Sequence, residues 1–375
     1  MTTQAALPTQ AAPDVLTEIR GQTGFITLNR PQALNALSLA MIRSLTACLL
    51  DWRDNPQVKA VAIRGSNKSG PFGAFCAGGD IRFFYQAALA GNAELEDFFT
   101  EEYTLNHLVH TYPKRVIAFM DGIVMGGGMG IAQGARTRIV TQRTKMAMPE
   151  TNIGLFPDVG GGYFLSRCPG YAGEWLALTG EVISAGPAIA LGLADVCFDP
   201  NQLVSAWEAL AELDLATPLA LDAWLARYTV ATDVLPTGLT EQIERYFSLE
   251  SVAAILAALE VADNTWAQQT AAALRKRSPL MLHVVLAQIR RGRTLALADD
   301  LRMERDMVRH CFNTRHLGRS GASSETVEGI RALAVDKDQT PKWQPAVVED
   351  VTTDMVVPFF DSPWPAHAHP LRNFT

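Results

Sequence analysis

An α/β core followed by a mostly helical C-terminal region is the fold class the sequence predicts, on three observations. Short β-type runs alternate with helical patterns from Phe25 to about Asp199, two glycine clusters fall where a strand gives way to a helix, and period-3.6 patterns dominate after about Pro200. Strands separated by helices imply layers of helix on sheet around one core.

Each element has a local cause. The opening "MTTQAALPTQAAPD" lacks a cationic segment, an apolar stretch and the arginines of a transit peptide, so 1–13 is expected as a disordered tail. "GFITLN", "VKAVAIRG" and "RVIAFMDG" are rich in β-branched or aromatic residues, and each ends at Asn or Gly, as strands do. Between the first two, Ser38 is a good N-cap for a helix whose Met41, Ile42, Leu45, Leu49 and Trp52 share one face until Asn55-Pro56 stops it. Further on, Ser278-Pro279 supplies a cap and then a proline at the first helical position. The end of the chain turns Pro- and Trp-rich, which suggests an ordered tail wrapped on the surface rather than another helix.

Composition narrows the function classes. The chain has 375 residues, 48% of them hydrophobic, enough to bury a substantial core. A net charge of -7 disfavours a nucleic acid or an anionic membrane surface as the main partner. No apolar run approaches the length of a membrane span. Cys48, Cys76, Cys168, Cys197 and Cys311 are scattered without a CxxC pair, and an odd count fits a reducing cytoplasm better than a secreted disulfide framework.

The two glycine clusters are "FCAGGDI" (75–81) and "DGIVMGGGMGIAQGA" (121–135). Glycines at a strand-to-helix turn permit close approach of a ligand, and the helix start offers unpaired N–H groups. Two such turns brought together could form an oxyanion hole from two backbone amides. The alternative is that the glycines only allow tight turns and close packing. A dinucleotide fingerprint starting at Gly126 fails because position 131 is Ile131, and neither a GxxxxGK[ST] nor a GxSxG motif is present. His107, His110, His367 and His369 come with no HExxH or Cys/His set, so no metal site is expected. The "RKR" at 275–277 and "RRGR" at 290–293 read as solvated helix ends, one of which could meet a phosphate.

Together, "FCAGGDI", "GIVMGGGMG" and "MAMPETNIGLFPDVGGG" resemble the crotonase (enoyl-CoA hydratase/isomerase) superfamily. "EEYTLN", "TGEVISAGPAIALGLAD" and "VDKDQTPKW" resemble segments of its 3-hydroxyisobutyryl-CoA hydrolase branch. The resemblance implies a crotonase-like spiral of ββα units over 14–212, binding acyl-CoA and doing the catalysis, with a helical C-terminal region over 213–375. It also implies an oxyanion hole from the amides of Gly79 and Gly127, the middle glycine of "GGG". No cofactor is implied beyond the coenzyme A of the substrate, and a homotrimer or hexamer is expected.

Acids separate the possible reactions. Hydratases that the chain resembles carry one glutamate three residues beyond the oxyanion glycine and another 23 residues beyond it; here those positions are Gly130 and Glu150. In the hydrolase branch the second acid instead comes eight residues after the first, where this chain has Asp158. Eight residues would be a little over two turns of helix, but Pro149 and Pro157 interrupt one, so a strand end and a following loop around a cavity are expected. The resemblance implies Glu150 as nucleophile or general base and Asp158 as binder of the substrate 3-hydroxyl and manager of the proton. Glu102 matches a further substrate-contacting acid; as a residue alone it could equally be a solvated helix position. One departure is Glu325-Thr326, where the branch carries an aromatic, which would alter substrate preference if that aromatic shapes the acyl pocket. The expected activity is hydrolysis of 3-hydroxyisobutyryl-CoA or a similar short 3-hydroxyacyl-CoA, as in valine degradation. The alternatives are an enoyl-CoA hydratase or isomerase using Glu150 alone, and a non-catalytic acyl-CoA-binding protein.

Overall fold

The computed structural model describes residues 12–217 and 219–375, so all but the last two residues of the expected tail lie outside the described residues. Two strands, β1 (Val15–Arg20) and β2 (Thr23–Leu28), form a hairpin, and α1 (Leu39–Asp54) leads to β3 (Ala60–Gly65). The Ser38 side chain accepts from the Met41 N–H, the capping bond that starts α1, and the five apolar residues of its predicted face are the buried ones. After α2 (Ile81–Ala90) and the long α3 (Glu94–His110), the chain spirals through β4 (Arg115–Met120), β5 (Ile123–Met125), α4 (Gly127–Gln133), β6 (Thr137–Thr141) and β7 (Lys145–Ala147). Then come α5 (Gly161–Leu165), α6 (Ala172–Thr179), α7 (Ala185–Ala190) and β8 (Val196–Phe198).

Successive units feed two sheets. The larger has the order β1-β2-β3-β4-β6-β8 and is parallel except for the first hairpin, while β5 pairs with β7 in a small parallel sheet that Cys76 extends by bridging to Val124. Each of the pairs β4/β5 and β6/β7 thus gives one strand to each sheet, the ββα spiral in backbone terms. The inner strands β2, β3 and β4 are covered on both faces, which is why they read as near-continuous apolar runs, whereas the edge strand β1 is partly exposed. Phe25, Ala62 and Ile117 lie in register on the face that packs against Trp207 and Trp224, while Ile26, Ile63 and Ala118 point into the main core.

Trp207 and Trp224 belong to α8 (Leu203–Ala211) and α9 (Ala220–Tyr228). The helices α10 (Leu239–Phe247), α11 (Val252–Glu260), α12 (Thr265–Leu274), α13 (Pro279–Gly292) and α14 (Leu297–Phe312) follow. A two-residue ribbon, β9 (Asn313–Thr314) with β10 (Arg319–Ser320), precedes α15 (Glu325–Ile330). Ser278 caps α13 by accepting from the Met281 N–H. One apolar cluster runs from Ile26 to Leu371, so the C-terminal helices share a core with the sheet; α13 packs on α5 and α6, and α14 on α3. The final segment lies along α14 and α3, where Arg302 donates to the Leu371 carbonyl and Phe374 stacks on His107. Among the described residues no helix is long and apolar enough to cross a membrane, and no three His, Cys, Asp or Glu side chains are grouped to hold a metal ion.

Candidate active site

The two glycine clusters meet. A methyl group built on Gly127 would stand 3.5 Å from the Gly79 nitrogen, so the two amides flank one spot. Among the described residues neither the Gly79 nor the Gly127 N–H donates to another group of the chain. Gly126 turns the chain between β5 and α4 at φ 48°, ψ -122°, a conformation that glycine alone adopts without strain. Two unpaired amides side by side are a geometry that can bind an oxygen gaining negative charge.

Three acids surround that spot. Glu102 from α3, Glu150 and Asp158 line a cavity of about 180 Å³ with Gly79 and Gly127. Its apolar wall includes Ile81, Phe84, Phe99, Ile153 and Leu155. Glu150 does not end a strand as expected: β7 stops at Ala147, and Glu150 opens a one-turn 3₁₀ helix, Glu150–Ile153. The cause is Pro149, which cannot donate a ladder hydrogen bond and enters the turn at φ -90°.

The acids are 2%, 7% and 5% exposed for Glu102, Glu150 and Asp158, and no lysine or arginine lines the cavity. Burial pushes the Glu150 carboxyl well up, and the Asp158 charge adds to the effect. Burial does the same to Glu102, reinforced by the charges of Asp158 and Glu150. Burial raises Asp158 to about 7, against the opposing pull of a hydrogen bond from Tyr103. Glu102 Oε1 and Glu150 Oε2 are buried without a hydrogen-bond partner among the described residues. A carboxyl raised to about 7, as that of Asp158 is, exchanges protons near neutrality and is available for acid–base work.

Nothing in the sequence marks Tyr103 beyond its place in "EEYTLN", yet its hydroxyl donates to Asp158 Oδ2 at 2.9 Å. A bond to the ionised carboxylate favours ionisation, so losing it should raise the Asp158 pKa further. Tyr103→Phe is therefore expected to move the Asp158 limb of the pH–rate profile upward and to destabilise the fold by about 1–3 kcal/mol, the penalty for an unsatisfied buried oxygen. Unchanged limbs in the variant would show that Asp158 does not titrate in the reaction.

Gly130, the position of the absent hydratase glutamate, is closed by packing. A methyl built there would meet Val159 Cβ at 2.5 Å and Asn106 Nδ2 at 3.0 Å. Glu325 and Thr326 do not line the cavity, so the missing aromatic does not reshape it directly. They brace the 3₁₀ turn from behind: Glu325 accepts from the Ser278 hydroxyl at 2.5 Å, and Thr326 donates to the Gly154 carbonyl at 2.8 Å. In the basic clusters, Arg275 pairs with Glu260 and Glu349 and Arg293 with Glu174, while Arg277 donates to the Asn152 side chain, which lines the cavity.

With that geometry in place, comparison with known proteins is specific. Residues 23–360 match the sequence profile of the Enoyl-CoA hydratase/isomerase family. The chain is 36% identical over 354 residues to a mitochondrial 3-hydroxyisobutyryl-CoA hydrolase of Gallus gallus, covering 93% of this chain and 89% of that one. It is 39% identical to 3-hydroxyisobutyryl-CoA hydrolase 1 of Arabidopsis thaliana, covering 92% and 91%. Among solved structures it resembles a carnitinyl-CoA dehydratase from Mycobacterium thermoresistibile, with a TM-score of 0.87, 36% identity and coverage of 97% and 100%. It also resembles an enoyl-CoA hydratase from Rhodobacter sphaeroides 2.4.1, with a TM-score of 0.82, 35% identity and coverage of 94% and 98%.

Proposed function

This chain belongs to the enoyl-CoA hydratase/isomerase family, and on that premise we propose that it hydrolyses 3-hydroxyisobutyryl-CoA, or a similar short 3-hydroxyacyl-CoA, to the free acid and CoA. The observation that carries the proposal is the acid set: Glu150 and Asp158 share one cavity beside two free amides, while Val159 occupies the space that the hydratase glutamate at position 130 would need. At about 180 Å³ the cavity is small against the roughly 300–1,000 Å³ of pockets that enclose drug-sized ligands, which suits a short acyl group.

In this proposal the thioester oxygen accepts from the Gly79 and Gly127 amides, which stabilise the charge it gains. Glu150 acts on the carbonyl carbon by one of two routes. Its carboxylate adds to the carbon, the C–S bond breaks with its electron pair leaving on the CoA thiolate, and water then cleaves the resulting anhydride and restores the carboxylate. Alternatively, Glu150 takes a proton from a water whose oxygen adds to the carbon directly, and the adduct collapses with the C–S electron pair leaving on the CoA thiolate. Label found in Glu150 after a single turnover in H₂¹⁸O establishes the first route, with water attacking the anhydride at the Glu150 carbonyl. Asp158 binds the 3-hydroxyl and, in the first route, receives the proton of the water that cleaves the anhydride. Such a step belongs to valine degradation, and the five free thiols fit a reducing compartment such as the cytoplasm.

Hydration by Glu150 alone is the second possibility, favoured by the names of the two solved structures. Assays with 3-hydroxyisobutyryl-CoA, 3-hydroxypropionyl-CoA and crotonyl-CoA decide between them. Thiol release matching loss of the hydroxyacyl esters is expected. Loss of crotonyl absorbance without free thiol would overturn the hydrolase assignment, as would tight binding of every ester with no turnover.

A further inference from the structure

The loop that presents Asp158 is held from behind by α14. Glu304 there is fully buried, and its two carboxylate oxygens accept separately from the Gly160 N–H at 2.7 Å and the Gly162 N–H at 2.8 Å. One turn earlier, Asp300 accepts from the Tyr163 N–H at 2.9 Å. Gln288 on α13 adds a strut, donating to the Pro157 carbonyl at 2.6 Å and to Glu304 Oε1 at 3.1 Å. These contacts grip the chain immediately before Asp158 and again from Gly160 onward. Between them Val159 sits at φ 58°, a conformation that a β-branched residue adopts only when its surroundings impose it. The last glycine of "PDVGGG" is explained by the same grip, since a methyl on Gly162 would run into the Asp300 carboxylate.

Neither Asp300 nor Glu304 lines the cavity, and burial pushes both carboxyls up. Two buried acids are a costly way to hold a loop that apolar side chains could pack. Their geometric gain is specific: only an acceptor on both oxygens fits two converging N–H groups. The same helix also fixes the other side of Asp158. Arg305, next to Glu304, pairs with Glu96 at 2.5 Å and donates to Thr100 at 3.0 Å, both on α3, and α3 carries the Tyr103 hydroxyl that holds Asp158.

We propose that Glu304 is the positioning residue for Asp158, fixing the backbone beneath it while Arg305 registers α3 and Tyr103 against the same helix. The proposal rests on the assignment of Asp158 to the substrate 3-hydroxyl. Glu304→Gln is the direct test, because an amide offers one acceptor oxygen and turns a donor toward the second N–H. The readout is the preference for 3-hydroxyisobutyryl-CoA over isobutyryl-CoA, measured as the ratio of kcat/KM. A general loss of structure lowers both rates together, whereas a misplaced Asp158 removes the preference.

Glu304→Gln is expected to lower turnover of the hydroxylated ester by about 10–100-fold, in line with a misplacement of order 1 Å, and to reduce the preference about as far as Asp158→Asn does. A preserved preference in Glu304→Gln, beside a lost one in Asp158→Asn, would overturn the positioning role. A preference unaffected by Asp158→Asn would instead overturn the assignment of Asp158, and the positioning role with it. Should Glu304→Gln fail to fold, Glu304→Asp decides: it keeps two acceptor oxygens but draws them back by one methylene from the Gly160 and Gly162 N–H groups, so a reduced preference supports the role and an unchanged one overturns it.

Discussion

Glu150→Gln is expected to lower thiol release from 3-hydroxyisobutyryl-CoA by about 10²–10⁴-fold, the range for loss of a positioned acid–base group. The side chain keeps its shape and its burial at 7% exposure, so the change is one of chemistry alone. The same substitution should not weaken the fold. Burial holds the Glu150 carboxyl well above its ordinary value, so the stability of its neutral form is present at low pH and is lost as pH rises toward the folded value. An amide carries no such loss. The melting temperature of Glu150→Gln should therefore match wild type near about pH 5 and equal or exceed it near about pH 8. Activity within a few-fold of wild type, with the fold intact, would remove Glu150 from the chemistry.

Gly127→Ala is the second large effect, expected at about 10²–10³-fold in kcat, the value of one oxyanion donor. The added methyl would collide with Glu102 Oε1 and come within 3.2 Å of Leu37 Cδ1, so either the amide or the acid must move. Because the loss falls on charge developed in the transition state, kcat should drop far more than KM changes. A variant that binds and turns over the ester as wild type does would show that the Gly127 amide holds no oxyanion.

The sheet and first helix were legible because their causes are local. β2, β3 and β4 are short β-branched runs closed by Asn or Gly, and α1 has its cap, stripe and stop within a single segment. The glycine clusters were legible as turns, whereas the roles of Gly79, Gly127, Glu150 and Asp158 came from motif resemblance. What could not be read is what holds those residues. Tyr103 meets Asp158 across 55 residues of chain, and Glu304 meets Gly160 across 144. In α14, Asp300, Glu304 and Arg305 look like the solvated face of an acidic and basic helix, yet all three are buried, because their partners arrive from α3 and from the loop after Glu150. The available signal was small: two acids four residues apart, with a glycine triplet elsewhere whose N–H groups needed acceptors. The strand expected through Glu150 failed for a local reason, since Pro149 ends the ladder.

The contact between Gly130 and Val159 bears on how such a protein could change its reaction over evolutionary time. A glutamate at position 130 cannot be added alone, because Val159 already fills the place where its first carbon would go. Replacing Val159 by glycine would open that space and relieve the left-handed backbone at φ 58°. The second substitution is thus permissive and must come first; in the reverse order the intermediate is overpacked. Crossing between hydrolase and hydratase within this scaffold is therefore an epistatic path with a required order, and the hydrolase end is entrenched by one buried valine.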